Sequence, residues 1–314
     1  MNNSTISEKR IAVVGAGGVG GYLGAMLAKT FPHVSLAVRG DRLTSIREHG
    51  LILHSDHSGE ITARPERAVS TAELGPQDFI FICVKNYSLE QVCRELSGSV
   101  SDHTVIIPVM NGVDPAQRIR SLLDAGTVVE ALIYIVAFAN HDFSITQQGD
   151  FANLRIGMEH PTAAESACIR EVADILSLAG IDHKIASDIR LEIWRKYILN
   201  CAYNVATACY DNTIGQLRRD PQKAGEYEAL VWEAYHVGCA EGVRLKEDHA
   251  ASIIRKFYNE LAEDATSSLQ RDVRAGKPAE VDTFSGYIVR EAERLGIDAP
   301  VSKRMYDMLK KKGY

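Results

Sequence analysis

Residues Gly15-Ala16-Gly17-Gly18-Val19-Gly20 follow directly on the apolar, β-branched run Ile11-Ala12-Val13-Val14 and lead into Tyr22-Leu23-Gly24-Ala25-Met26-Leu27-Ala28. The six residues spell G-x-G-x-x-G between a strand pattern and a helix pattern, the context in which that spacing has structural force. Gly15 permits the tight turn, Gly17 lets a pyrophosphate approach the backbone, and Gly20 lets helix and strand pack closely. The helix N-terminus adds free N–H groups and a dipole that favour phosphate. A Rossmann-type α/β domain is therefore predicted, with a dinucleotide held by Gly15, Ala16, Gly17, Gly18, Val19 and Gly20.

The end of the second strand bears on which dinucleotide. An NAD site usually places Asp or Glu about 20 residues after the glycines, on the ribose 2′-hydroxyl. Here Val38 and Arg39 occupy that region, followed by Gly40-Asp41-Arg42. A guanidinium suits a 2′-phosphate, so Arg39 points to NADP; Asp41 is the competing ribose acceptor if the strand ends later. Two further apolar runs end in polar residues: Phe79-Ile80-Phe81-Ile82-Cys83-Val84 before Lys85-Asn86, and Val105-Ile106-Ile107-Pro108-Val109-Met110 before Asn111-Gly112. Open parallel sheets bind ligands beyond the carboxyl ends of their strands, which adds Lys85 and Asn111 to the candidates. The bland alternatives are a solvated loop lysine and an Asn-Gly turn.

Far along the chain, Lys196, Asn200 and Asn204 recur at intervals of four in an otherwise largely apolar stretch. On a helix each step of four advances about 400°, so the ammonium and two amides share one face over about 12 Å. A buried ammonium without a carboxylate is expensive and its pKa falls readily. Chemistry beside a carbonyl, with the lysine as proton donor, is one reason to keep such a group; a snorkelling lysine and two structural amides are the alternative.

With 314 residues the chain is long enough for two domains. A formal net charge of −6 gives no sign of a nucleic-acid partner. Six cysteines without a Cys-x-x-Cys pair read as small buried hydrophobes in a reducing, cytoplasmic setting. His54 and His57 lie close together but lack a cysteine partner, so no metal site is expected. Residues 1–10 are polar and lack signal-peptide character. No uninterrupted apolar stretch reaches about 18 residues, so no membrane span is expected. Up to about residue 184 strand and helix patterns alternate, with strands near 128–135 and 154–157 and a helix over 165–178. From 187 onward the pattern is helical, over 189–209, 222–241, 250–273, 279–295 and 301–309. The division predicted is an α/β dinucleotide-binding domain over 1–185 and an all-α domain over 186–314. In the latter, Thr266-Ser267-Ser268-Leu269-Gln270 and Glu280 flank the Gly276-Lys277-Pro278 turn. Glu280 is expected in the first turn of its helix, where a carboxylate suits the dipole alone.

These residues together resemble ketopantoate reductase (2-dehydropantoate 2-reductase) over nearly the whole length. The resemblance is carried by the glycines, by Val84-Lys85 and Asn111-Gly112, and most specifically by two patterns. One is Trp194-Arg195-Lys196 with Asn200 and Asn204; the other is Thr266-Ser267-Ser268-Leu269-Gln270 with Glu280 twelve positions after Ser268. It implies NADPH-dependent reduction of 2-dehydropantoate to pantoate, as in pantothenate biosynthesis, with Lys196 protonating the 2-oxo group in the helical domain. It further implies Lys85, Asn111 and Ala137 at the cofactor, with Asn111 also at the substrate. Asn200, Asn204 and Ser268 would hold the substrate, including its carboxylate, and Glu280 would act near the cofactor and the substrate's distal hydroxyl. A homodimer is implied as well. The chain departs from the pattern at Ile214, where an asparagine is expected and Asn212 stands two residues earlier, and at Met110, where glutamine is common. Reduction of another 2-oxo or 3-oxo acid by the same architecture, or a non-catalytic NADP-binding sensor, are the rival readings.

Overall fold

Along each short apolar run of the first part of the chain, alternate side chains enter two different cores. Ile11 and Val13 join one cluster and Ala12 and Val14 the other; Phe79 and Phe81 oppose Ile80 and Ile82 in the same way. Strands buried on both faces are those of a parallel sheet covered on each side. A computed structural model of the chain describes residues 6–314; the first five residues of the polar N-terminal stretch lie outside them. The chain divides into two compact units, one up to Ile189 and one from Arg190. Among the described residues no helix is long and apolar enough to cross a membrane.

The first unit's strands are β1 (Ile11–Val14), β2 (Val34–Ala37), β3 (Leu51–Ser55), β4 (Gly59–Ala63), β5 (Arg67–Val69), β6 (Phe79–Ile82), β7 (Val105–Pro108), β8 (Thr127–Val128), β9 (Glu130–Ala139), β10 (Ile145–Gly157) and β11 (Asp182–Ile185). One sheet has the order β5-β2-β1-β6-β7-β8, and every neighbouring pair in it is parallel. Its order reverses at β1, the kind of switch point at which α/β sheets bind ligands. In register, Val14 faces both Ala37 and Ile82, and Ile82 faces Pro108. The carboxyl ends of β2, β1, β6 and β7 are therefore level. A second sheet, not foreseen as such from the sequence, runs β11-β10-β3-β4 with β9 antiparallel to β10. The strand expected near 154–157 is the end of this longer β10.

The helices of this unit are α1 (Gly18–Thr30), α2 (Asp41–His49), α3 (Leu89–Leu96), α4 (Pro115–Leu122) and α5 (Ala163–Leu178). Helix α1 is flanked by both sheets, and its glycines explain how closely. A Cβ on Gly21 would lie 2.4 Å from Ile145 Cγ1, and one on Gly24 would lie 2.8 Å from Leu36 Cδ2. The helix thus presents its backbone to each sheet.

The second unit is helical: α6 (Ile189–Tyr210), α7 (Ile214–Arg219), α8 (Pro221–Ala240), α9 (Glu247–Asn259), α10 (Ser268–Arg274), α11 (Ser285–Leu295) and α12 (Pro300–Lys311). Buried Glu233 of α8 accepts from Val301 N (2.9 Å) and Ser302 N (2.7 Å), capping a helix that has no side-chain cap of its own. Two expectations are corrected here. The single helix over 250–273 is two, because the segment between them gives its carbonyls to other elements: Ala265 O accepts from Ile214 N and Glu263 O from Gly215 N. Ser267 then caps α10 by accepting from Gln270 N at 3.0 Å. The helix expected from 279 starts only at Ser285, so Glu280 is not in a helical first turn. It opens a turn in which Glu280 O accepts from Thr283 N (3.1 Å) and Phe284 N (3.3 Å).

The glycine geometry separates fold from ligand. A Cβ on Gly20 would lie 1.8 Å from Gly15 O and 2.8 Å from Cys83 Cβ, whereas one on Gly17 would meet nothing within 4 Å. Gly20→Ala is expected to destabilise the protein by about 3 kcal/mol or more in urea unfolding. Gly17→Ala should leave the unfolding midpoint nearly unchanged while weakening dinucleotide binding in a fluorescence titration. Equal midpoints for the two variants would refute the packing role of Gly20.

Candidate active site

The turn after β1 is built to leave space. Gly15 has φ +88, a value that favours glycine, and its N–H is tied to Ala37 O at 2.9 Å. Gly17, exposed, is the N-cap of α1, with no side-chain cap bond and no acidic residue in the first turn. The first N–H groups of α1 therefore stand at a helix end free of competing carboxylate. Gly18 lies against β9: a Cβ there would be 2.2 Å from Ala137 O. Ala137 thus borders the glycine turn through its backbone. These features suit a pyrophosphate; phosphate oxygens would be met by backbone at Gly17 and Gly18.

The other candidates of this unit follow the level strand ends. Arg39 lies just beyond β2, is exposed, and makes no hydrogen bond or ion pair among the described residues. The nearby Arg42 is committed, donating to Phe143 O (3.3 Å) with its guanidinium 5.2 Å from the Phe143 ring centre. Asp41 is the first residue of α2. Lys85 precedes a short 3₁₀ turn over Asn86–Ser88 and Asn111 follows β7; both are half-buried. Sequence reasoning did not single out the residues that hold these two loops together. Asn86, 5% exposed, donates from Nδ2 to Asn111 O at 2.8 Å, and Arg118 of α4 donates to Asn86 Oδ1 and O, each at 3.3 Å. The only signal for Asn86 was its position next to Lys85, and Arg118 gave none.

In the second unit, α6 carries Lys196, Asn200 and Asn204 in the expected register. Lys196 is half-buried as a residue, but its ammonium is enclosed. Loss of hydration pulls its pKa down to about 8, and the Glu280 carboxylate acts in the opposite direction. Burial wins, a balance the sequence left open. Glu280 itself is 5% exposed. Its turn is held by the residue next to Lys196: the buried Tyr197 hydroxyl donates to Thr283 O (2.7 Å) and Phe284 O (3.0 Å). Trp194, Tyr197, Phe284 and Tyr287 pack as an aromatic cluster around that link.

Asn204, in the same register, is engaged by the protein itself. It is buried, donates to Asn200 O (3.1 Å), and its Oδ1 accepts from Ser268 Oγ (3.2 Å) and Leu269 N (3.3 Å). It fastens the start of α10 to α6. Thr207 adds a second stitch, donating to Ser267 Oγ at 2.7 Å. Ile214 is fully buried, and the Asn212 side chain is engaged with Gln216 and Lys223, so Asn212 supplies no amide in its place. Lys196, Asn200, Asn204, Ser268 and Glu280 are thus gathered in the second unit, and Gly15 to Gly20, Arg39, Lys85, Asn111 and Ala137 along one edge of the first.

Known proteins share this architecture. Residues 11–160 match the family model described as ketopantoate reductase PanE/ApbA, and residues 188–313 match that of its C-terminal part. A 2-dehydropantoate 2-reductase of Mesorhizobium japonicum is 28% identical over 93% of both chains. A crystal structure of 2-dehydropantoate 2-reductase from Porphyromonas gingivalis W83 is 30% identical, with a TM-score of 0.79 over 96% of this chain and 99% of the other. The fold is shared more widely: D-mandelate dehydrogenase with NADH and anilino(oxo)acetate superposes with a TM-score of 0.86 at 20% identity, over 96% and 98% of the two chains.

Proposed function

Since the chain belongs to the ketopantoate reductase PanE/ApbA family of oxidoreductases, we propose that it reduces 2-dehydropantoate to pantoate with NADPH, Lys196 serving as proton donor. The observation that carries this reading is the enclosed Lys196 ammonium, pulled down to about 8 and opposed by Glu280. The nicotinamide, when bound, supplies the hydride to the carbonyl carbon. Negative charge then grows on the carbonyl oxygen, where a desolvated ammonium both stabilises it and releases a proton to it. With a pKa near the working pH, Lys196 is mostly charged before the reaction and gives up its proton readily. Glu280 keeps enough of the lysine protonated for this. Asn200 and Ser268 border the same face and orient the substrate, with Asn204 fixing Ser268. On the first unit, the bare N-terminus of α1 and the open space at Gly17 suit the pyrophosphate, and unpaired Arg39 suits a 2′-phosphate.

A second reading, an oxo acid other than 2-dehydropantoate, is favoured by one observation: Ile214 is apolar and Asn212 is turned to other partners. Assaying the purified chain on a panel of 2-oxo and 3-oxo acids with NADPH and NADH separates the two. Turnover of 2-dehydropantoate is expected, and Lys196→Ala should lower kcat by about 10²–10⁴-fold. Activity only on a different oxo acid would establish the second reading; cofactor binding without turnover of any carbonyl would establish a sensor.

The reductive kcat should fall as pH rises through about 8, because the proton-bearing form of Lys196 is lost there. Glu280→Gln removes the charge that raises the lysine pKa, so the midpoint should move to lower pH. A midpoint that stays put or rises would detach Glu280 from the lysine. Finally, Arg39→Ala should raise KM for NADPH about tenfold or more, and leave that for NADH nearly unchanged; equal effects on both would remove Arg39 from the 2′-phosphate role.

A further inference from the structure

Glu280 supports the charge of Lys196 only while its carboxylate stays beside the ammonium, and no regular element holds it there. It lies outside any helix or strand, on the segment that leads into α11. Thr283 N and Phe284 N close that segment by donating to Glu280 O, and Gly286 N ties it to the coming helix by donating to Val281 O at 3.1 Å. Residues 280–286 are thereby knitted into one piece, so whatever fastens part of it also places the Glu280 carboxylate. We propose that Tyr197 is a positioning residue of the reaction: its hydroxyl clamps this piece to α6 and so fixes the counter-charge at Lys196. The inference rests on the reductase reading above and deepens it.

The clamp has a suitable point of reference. Tyr197 follows Lys196 directly on α6, so the two side chains leave the same helical turn about 100° apart. Bonds from Tyr197 to Thr283 O (2.7 Å) and Phe284 O (3.0 Å) tie acid and counter-charge to one rigid helix. Their separation is thus set inside the helical unit. Burial gives the bonds weight: Tyr197 is 2% exposed and Phe284 1%, and a buried carbonyl that loses its donor is costly. The ring is placed by packing alone, its centre 5.6 Å from that of Trp194 and 5.8 Å from that of Tyr287. A phenylalanine ring would pack as well. The clamp is what the hydroxyl adds.

Other charges nearby are engaged elsewhere. The second carboxylate of the turn, Asp282, accepts from the Tyr306 hydroxyl at 2.6 Å and pairs with Lys310 at 3.4 Å. On α6, Glu192 pairs with Arg195 at 3.8 Å; on α10, Arg274 pairs with Asp211; on α11, Glu291 pairs with Arg294. The Cys201 thiol, one turn beyond Tyr197, meets the same hydroxyl, and burial pushes its pKa up and keeps it neutral. Among the described residues Glu280 alone acts electrostatically on the ammonium; Asp272 of α10 and Tyr287 of α11 add nothing to it.

The test is the titration of Lys196 itself, followed by NMR of its ε-methylene in the full chain with isotope-labelled lysine and assigned with Lys196→Ala. It is read in the parent protein, Tyr197→Phe, Glu280→Gln, the double variant and Glu233→Gln, beside the pH profile of kcat for the oxo acid reduced. Tyr197→Phe keeps the ring and its packing, and a thermal melt verifies that it is folded. Loosening an opposite charge lowers a lysine pKa, so Tyr197→Phe should move both midpoints down by about half a pH unit. It should move them no further once Glu280→Gln is present. Glu233→Gln, which weakens the cap of α12, should lower stability and leave the midpoints in place. An unmoved midpoint in Tyr197→Phe, the same displacement with and without the Glu280 carboxylate, or an equal displacement in Glu233→Gln overturns the proposal. If Lys196 titrates as expected and no carbonyl compound is reduced, the reductase reading falls and the clamp on the lysine's counter-charge stands.

Discussion

The chemistry proposed for this chain depends on holding one ammonium away from water without losing its charge. Removing a lysine from water costs several kcal/mol, and in Lys196 that cost shows as a lowered pKa. What limits the fall is Glu280, which belongs to a turn of no regular structure rather than to a helix. Such a turn drifts unless something fixes it. The buried Tyr197 hydroxyl does so through two carbonyls of the turn, each bond contributing about 1 kcal/mol. Adjacent residues on α6 therefore have complementary roles. In the proposed reaction Lys196 is the acid, and Tyr197 holds the turn that carries its counter-charge.

The same dependence on α6 governs the far end of that helix. Asn204 and Thr207 direct their hydrogen bonds to the start of α10, at Ser268, Leu269 and Ser267. Helix α10 has seven residues, too short to persist by its own propensity, so its direction is set by α6. Any side chain that α10 presents inherits that orientation. In the first unit the corresponding agent is α1. Its glycines do two jobs at once, bringing the helix against both sheets and leaving its N-terminus bare, and these meet at Gly18, where the backbone of Ala137 closes one side of the turn.

How much of this was legible follows from where each hydrogen bond goes. The runs that became β1, β2, β6 and β7 declare themselves because burial on both faces demands continuous apolar residues. The glycine turn and the polar face of α6 are equally local: spacing alone determines them. The second sheet was half hidden because β4 pairs only with β3 among the described residues, and β3 with β10 far along the chain, while their burial alternates or is partial. The break over 260–267 has helix-forming residues on either side. It exists because Ile214 and Gly215 claim its carbonyls from a distant part of the chain. Glu280 reads as helical from local sequence for the same reason, since Tyr197, far earlier in the chain, holds the carbonyls of Thr283 and Phe284 in its turn. Asn86 and Arg118 act through a loop-to-loop contact that has no periodicity to read.

Cofactor preference turns on three neighbouring charges that sequence alone ranks poorly. Arg39, Asp41 and Arg42 all fall where the second strand gives way to a helix. Arg42 is drawn off by Phe143 through a hydrogen bond and a ring contact, which leaves it badly placed to follow a phosphate. Asp41 stands in the first turn of α2, where the helix dipole already stabilises its charge; engaging a ribose hydroxyl would compete with that role. Arg39 has no such commitment among the described residues, and it lies two residues beyond the end of β2. In the proposed reading Arg39 is the charge left for a 2′-phosphate, because Arg42 and Asp41 are already employed by the fold.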